Sequence, residues 1–176
     1  MNEVAREMLD LLRSQAGQRS VSLRAELTAE PASVIADRVQ LRQVLMNLIL
    51  NGIEAMQESG GELTVTSRIA PDGELTISVS DTGCGLPTEH TDQIFETFFT
   101  TKSQGSGIGL SISRSIVESH GGRLWATAND RGATFHFTVP PAAANTTQVA
   151  TPRAGADHTL ESASQTTLGC PSEPRS

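Results

Sequence analysis

The sequence predicts an α/β fold of two layers, a mostly antiparallel mixed sheet with helices on one face. Three observations carry that expectation. Short segments alternate apolar and polar residues, as half-buried strands do. Longer segments repeat their apolar residues at helical spacing. Strong turn signals join consecutive alternating segments, the mark of antiparallel hairpins.

Residues 2–16 place Val4, Met8, Leu11 and Leu12 on one helix face, and Gly17 stops that helix. Val21, Leu23, Ala25 and Leu27 alternate as a strand, which Pro31 breaks. Val34, Ile35 and Ala36 form a short strand leading to Asp37. Residues 37–58 are then helical, with Asp37 as N-cap and Gln40 completing a capping box. Gly60 and Gly61 end that helix. Leu63, Val65 and Ile69 pair with Leu75, Ile77 and Val79 across the turn Pro71-Asp72-Gly73. A further helix spans residues 108–120, with Leu110, Ile112, Ile116 and Val117 apolar and Gly121-Gly122 behind it. Residues 124–127 and 133–139 make the last hairpin, around Asn129-Asp130-Arg131-Gly132. The expected organisation is a connector helix over 1–17, one domain over 18–141, and a tail over 142–176. That tail is Ala, Thr, Ser and Pro with few large aliphatics. It buries too little surface to offset ordering entropy and is expected to be disordered.

The net charge of −7 argues against nucleic acid or an anionic membrane surface as the main partner. Cys84 and Cys170 form no CxxC pair, so neither a zinc site nor a disulfide framework is expected, and a reducing, cytoplasmic setting follows. No apolar run reaches membrane-spanning length, although a longer parent protein could still be anchored in one.

The helix over 37–58 has an unusual surface. It is apolar almost all round, which calls for burial. Yet Asn47, Asn51 and Glu54 share one narrow stripe, continued by Gln40 and Gln43. The stripe is either the solvated side or one wall of a polar cavity; buried amides and carboxylates require partners.

Other segments offer matching walls. In Asp81-Thr82-Gly83-Cys84-Gly85, a carboxylate at a strand end precedes two glycines that let backbone approach a ligand, although alone this is an ordinary turn. Gly105-Ser106-Gly107-Ile108-Gly109-Leu110 runs into a helix and offers free N–H groups to an anion. It is neither a Walker A loop nor a dinucleotide fingerprint. Between the two lies a long, glycine-containing segment with Phe95, Phe98 and Phe99, expected to be a functional lid. Gly132-Ala133-Thr134 sits in the final hairpin.

Taken in this order and spacing, the five segments resemble the ATP-binding catalytic domain of sensor histidine kinases, in a nitrogen-regulator-like branch. That domain belongs to the Bergerat-fold superfamily, and the resemblance covers about residues 1–140. It implies ATP with Mg2+. Asn51 would ligate the metal between the phosphates, with Asn47 the first asparagine of the same box. Asp81 would accept from the adenine amine, with Gly83 and Gly85 shaping that pocket and Thr134 supporting the aspartate. Phe95, Phe98 and Phe99 would anchor the lid. Gly105, Gly107, Gly109 and Leu110 would form its hinge and phosphate loop, and Lys102 would approach the phosphates. Glu54 stands where some members carry lysine, so phosphate charge falls to Lys102, backbone and metal. In the superfamily's hydrolases a glutamate base occupies the place of Asn47, and an amide cannot take a proton at neutral pH. A kinase rather than an efficient ATPase is therefore implied.

The implied partners are ATP, a helical-hairpin phosphoacceptor domain and, indirectly, a response regulator. None of His90, His120, His136 and His158 sits in an acceptor context, which points to a fragment or truncated kinase. An anti-sigma-type serine kinase, or an ATP-binding interaction module without transfer activity, are the alternatives.

Overall fold

A computed structural model describes residues 1–29, 34–86, 93–98 and 107–142. The expected tail therefore lies, from residue 143 on, outside the described residues. Helix α1 (Asn2–Gln18) is followed by β1 (Val21–Leu27), α2 (Arg38–Ala55), β2 (Gly61–Ile69) and β3 (Leu75–Asp81). One 3-10 turn (Gln93–Phe95), α3 (Gly109–Ser119), β4 (Leu124–Ala128) and β5 (Ala133–Val139) complete the order.

The sheet is β1-β2-β3-β5-β4. Only β1 and β2 pair in parallel; the other neighbours are antiparallel. A parallel pair needs a crossover, and α2 supplies it. The helices cover one face, and α2 packs on α1, α3, β2 and β3. Its Leu41, Val44, Leu45, Leu48, Ile49 and Ile53 are 0–1% exposed, so its nearly continuous apolar surface is explained by neighbours on most sides. This is the Bergerat-type α/β architecture: a mixed, mostly antiparallel open sheet with helices on one face.

Three boundaries differ from the expectation. Helix α1 runs through Gly17 to Gln18, because an isolated glycine weakens a helix without ending one. Val34 to Ala36 form no strand; Ile35 is 62% exposed and no neighbouring backbone ladder holds the segment. Helix α2 stops at Ala55 rather than near residue 58, since the Ala55 carbonyl accepts from the Cys84 N–H at 3.2 Å.

The Asp37 cap is as expected on one side only. Its carboxylate accepts from Val39 N at 2.7 Å and Gln40 N at 3.2 Å. Its own N–H donates to His120 Nε2 at 3.0 Å, so the start of α2 is tied to the end of α3 instead of to Gln40. At the other side of α2, Arg38 and Arg42 grip Glu7 of α1, and Arg42 beside Glu7 holds its carboxyl below the usual range.

The face of the sheet away from the helices is polar. There His136 is bonded at Nδ1 to Ser78 Oγ, 2.7 Å away, and at Nε2 to Thr127 Oγ1, 3.0 Å away. Trp125 stacks on it at 5.1 Å. Burial pushes the His136 imidazole below its ordinary value of about 6.5. The unfolded chain therefore takes up a proton at higher pH than the native one. The associated stability is complete above about pH 6.5 and is lost as pH falls through the native value. Urea midpoints measured between about pH 7 and pH 5 should fall, and His136→Asn should flatten that dependence. An unchanged slope in the variant would assign the loss to other groups.

Candidate functional site

Helix α2 is the axis of the site. Asn47, Asn51 and Glu54 lie half-buried along it, while Gln40 and Gln43 are exposed. The stripe thus passes from solvent at its start to partial burial at its end.

One end of the site is built on Asp81, the last residue of β3 and 3% exposed. Its Oδ1 accepts from Gly83 N at 2.9 Å and Ala133 N at 3.4 Å, since a buried carboxylate must be held by donors. Close backbone approach makes this possible. A Cβ on Gly132 would stand 2.4 Å from Asp81 O and 2.7 Å from Asp81 Oδ1. A Cβ on Gly83 would stand 2.6 Å from Ala55 O. Gly85 takes φ +76°, where a side chain strains the backbone. Gly52 lies inside α2, where glycine costs about 1 kcal/mol relative to alanine. A Cβ there would meet Leu63 Cδ1 at 2.6 Å and lie 3.4 Å from Asp81 Cβ, so α2 packs closely on β2 and β3 at this point.

The other end is the start of α3. Gly109 is its first residue, and the residue before it, Ile108, offers no side-chain cap to the leading N–H groups. Those groups and the helix dipole favour an anion. Asn47 Nδ2 donates to Ser113 Oγ at 3.0 Å, and Ser113 is 1% exposed. A Cβ on Gly109 would lie 2.4 Å from Asn47 Oδ1. Asn47 thus braces α2 against the first turns of α3, and Leu110 packs half-buried on the core beside it. Asn51 lies one turn along α2 from Asn47, between the two ends. From residue 47 to 55 the helix advances about 12 Å.

The aromatic segment is anchored in two ways. Phe95 is buried edge-on against Phe135 at 6.5 Å, with the Arg114 guanidinium 5.7 Å from its centroid. Phe98 is 75% exposed at φ 72°, and its N–H donates to the carbonyl of Gly107, itself at φ +65°. Phe99, Lys102 and Gly105 lie outside the described residues, as does most of the expected lid.

Thr134 is not where the expectation puts it. It pairs with Ser80, and its hydroxyl lies 3.0 Å from Ser80 Oγ on the face away from the helices. The residue beside Asp81 on the helix face is Ala133, buried and donating only its backbone N–H. Alternation along β5 sends neighbouring side chains to opposite faces, so the support for Asp81 shifts from residue 134 to 133.

Gly52, Ser113 and Asn129 belong to the frame of the candidate site without having been singled out in the sequence, and Ala133 was singled out only as part of Gly132-Ala133-Thr134. A glycine directly after Asn51 in a helical pattern was a readable signal. Nothing in the sequence marked Ser113.

Among the described residues, no group of three His, Cys, Asp or Glu could hold a metal ion. A magnesium ion keeps waters and takes few protein ligands when phosphates hold it, so a single amide oxygen at Asn51 fits that mode. No described helix is long and apolar enough to cross a membrane.

The family model for histidine kinase-, DNA gyrase B-, and HSP90-like ATPases matches residues 36–143. The sensor protein FixL of Bradyrhizobium diazoefficiens is 51% identical over 132 residues, which are 74% of this chain and 26% of that protein. The chain therefore spans about a quarter of that relative's length. The solved catalytic domain of histidine kinase ThkA is 36% identical, with a TM-score of 0.73, covering 81% of this chain and 93% of that one. Full-length ShkA, solved in complex with AMPPNP, is 26% identical with a TM-score of 0.71, covering 80% of this chain and 30% of that one.

Proposed function

The chain belongs to the family of histidine kinase-, DNA gyrase B-, and HSP90-like ATPases, and on that premise we propose that it is the ATP-binding catalytic domain of a two-component sensor histidine kinase. It holds ATP and Mg2+ and presents the γ-phosphate to a histidine on a helical-hairpin domain of its parent, for onward passage to a response regulator. The observation that carries this is the buried Asp81 carboxylate beside the last turns of α2, with the start of α3 packed on Asn47 about two turns earlier on the same helix. A base with an exocyclic amine suits the first, and phosphates suit the second. Asn51 between them supplies an oxygen to the metal, which neutralises phosphate charge when bound. On this reading Lys102, Gly105, Gly107, Gly109 and Leu110 serve the phosphates. Phosphoryl transfer needs positioning and charge neutralisation more than covalent chemistry. Asn47, an amide already bonded to Ser113, offers water no base, so ATP hydrolysis is slow.

The acceptor lies elsewhere. His136 has both ring nitrogens hydrogen-bonded, and so has His120, to Ile116 O and Asp37 N. His90 and His158 lie outside the described residues. With γ-labelled ATP, a hairpin domain from the parent kinase, added separately, should gain acid-labile, base-stable label while this chain gains none. Label on this chain's own histidine would sink that part, and acid-stable label on serine would favour a serine kinase.

Asn51 has its own test. Asn51→Ala should weaken ATP binding strongly with magnesium and little with a chelator, read by calorimetry. Equal losses under both conditions would indicate a packing defect rather than lost metal ligation.

A further inference from the structure

Asn129 is exposed on the polar face of the sheet, behind the site, and no reading of the nucleotide pocket includes it. Its side chain nevertheless makes several hydrogen bonds near Asp81. The Nδ2 group donates to Asp81 O at 3.1 Å, Ser80 Oγ at 3.1 Å and Thr134 Oγ1 at 3.2 Å. The Oδ1 atom accepts from Arg131 N at 3.1 Å and Gly132 N at 2.7 Å. Its backbone N–H also closes the turn onto Gly132 O at 3.1 Å.

The two halves of this amide do different work. The acceptor half shapes the turn between β4 and β5. The donor half ties that turn to the end of β3. Gly132 and Ala133 follow directly, and they are the backbone that lies on the Asp81 carboxylate. Gly132 comes so near that its missing Cβ would overlap Asp81 O, and Ala133 N is a donor to Asp81 Oδ1. A shift of the turn would therefore act directly on that carboxylate.

We infer that Asn129 is a positioning residue for base recognition, aiming the Asp81 carboxylate through the turn it ties to β3. The inference rests on the reading of Asp81 as the acceptor for the adenine amine. It places a determinant of base selectivity on the opposite side of the sheet from the nucleotide.

The test compares ATP with purine riboside triphosphate, which lacks the exocyclic amine, by calorimetry on the full chain. The parent should prefer ATP by about tenfold or more, the worth of a hydrogen bond to a charged acceptor. Asp81→Asn should erase that preference. Asn129→Ala removes both halves of the amide, and Asn129→Asp keeps the acceptor half that builds the turn while removing the donors to β3. Both should bring the preference to within about threefold, mainly by weakening ATP, with the Asp variant melting near the parent temperature. A role confined to turn stability would instead leave Asn129→Asp as selective as the parent, or weaken both nucleotides alike in both variants. Either result overturns the inference. If the parent shows no preference, or Asp81→Asn retains it, the Asp81 reading itself fails and takes the inference with it.

Discussion

Asp81→Asn should nearly abolish ATP binding. The carboxylate is 3% exposed and accepts from two backbone N–H groups, Gly83 and Ala133. An amide at the same place replaces one acceptor oxygen by a donor. It either turns that donor on the backbone N–H groups or presents it to the adenine amine. A hydrogen bond to a charged group contributes about 1.5–3 kcal/mol, and the mismatched donor adds a desolvation penalty. Roughly ten- to a hundredfold or more in affinity should be lost. Melting the variant without nucleotide separates a binding defect from unfolding. Parent-like affinity in calorimetry would mean that the base is held elsewhere.

The largest effect on folding should come from Gly122→Ala. Gly122 follows α3 where the chain turns into β4 against the end of β5. Thr138 N donates to Arg123 O at 3.0 Å, and Arg123 N donates to Thr138 Oγ1 at 3.1 Å. A Cβ at 122 would stand 1.9 Å from Thr138 O and 3.1 Å from Val117 Cγ1, and both neighbours are 1% exposed. Neither the strand backbone nor the buried valine can step aside cheaply. Overpacking of this kind typically costs about 1–3 kcal/mol, and a backbone clash this close belongs at the top of that range or above it. Gly17→Ala provides the opposite sign. It lies in α1 with nothing within 4 Å of its Cβ position, so alanine should stabilise by up to about 1 kcal/mol through helix propensity. Equilibrium urea unfolding of the pair should show one midpoint falling and the other rising. A Gly122→Ala midpoint equal to the parent's would mean that the turn relaxes freely.

Periodicity carried most of the fold. The alternating runs and the three helical patterns correspond to the five strands and to α1, α2 and α3, although β1 keeps only part of its alternation in burial. Where the pattern was read too literally, tertiary contacts decided. Cys84 claims the Ala55 carbonyl and ends α2, and Val34 to Ala36 have no partner strand. Near the candidate site, the sequence drew attention to Asp81 and its glycines through the order and spacing of the five segments, since a carboxylate followed by two glycines is by itself an ordinary turn. Thr134 was misplaced because strand side chains alternate, so an error of one residue moves a group through the sheet. Asn129, Ser113 and Gly52 act through neighbours 48, 66 and 11 residues away, and no local pattern records such pairs.

The base end joins two hairpins. Asp81 closes β3, which pairs with β2, whereas Ala133 opens β5, which pairs with β4; β3 and β5 are neighbours in the sheet, and their pairing brings Ala133 onto Asp81. Neither hairpin alone contains a pocket, and the phosphate end needs α2 and α3 packed together as well. On the proposed function, nucleotide should therefore bind the native state in preference to partly folded ones. By mass action, ATP at a hundred times its dissociation constant should add about 2.7 kcal/mol to the free energy of unfolding. The melting temperature of the domain should therefore rise with ATP concentration.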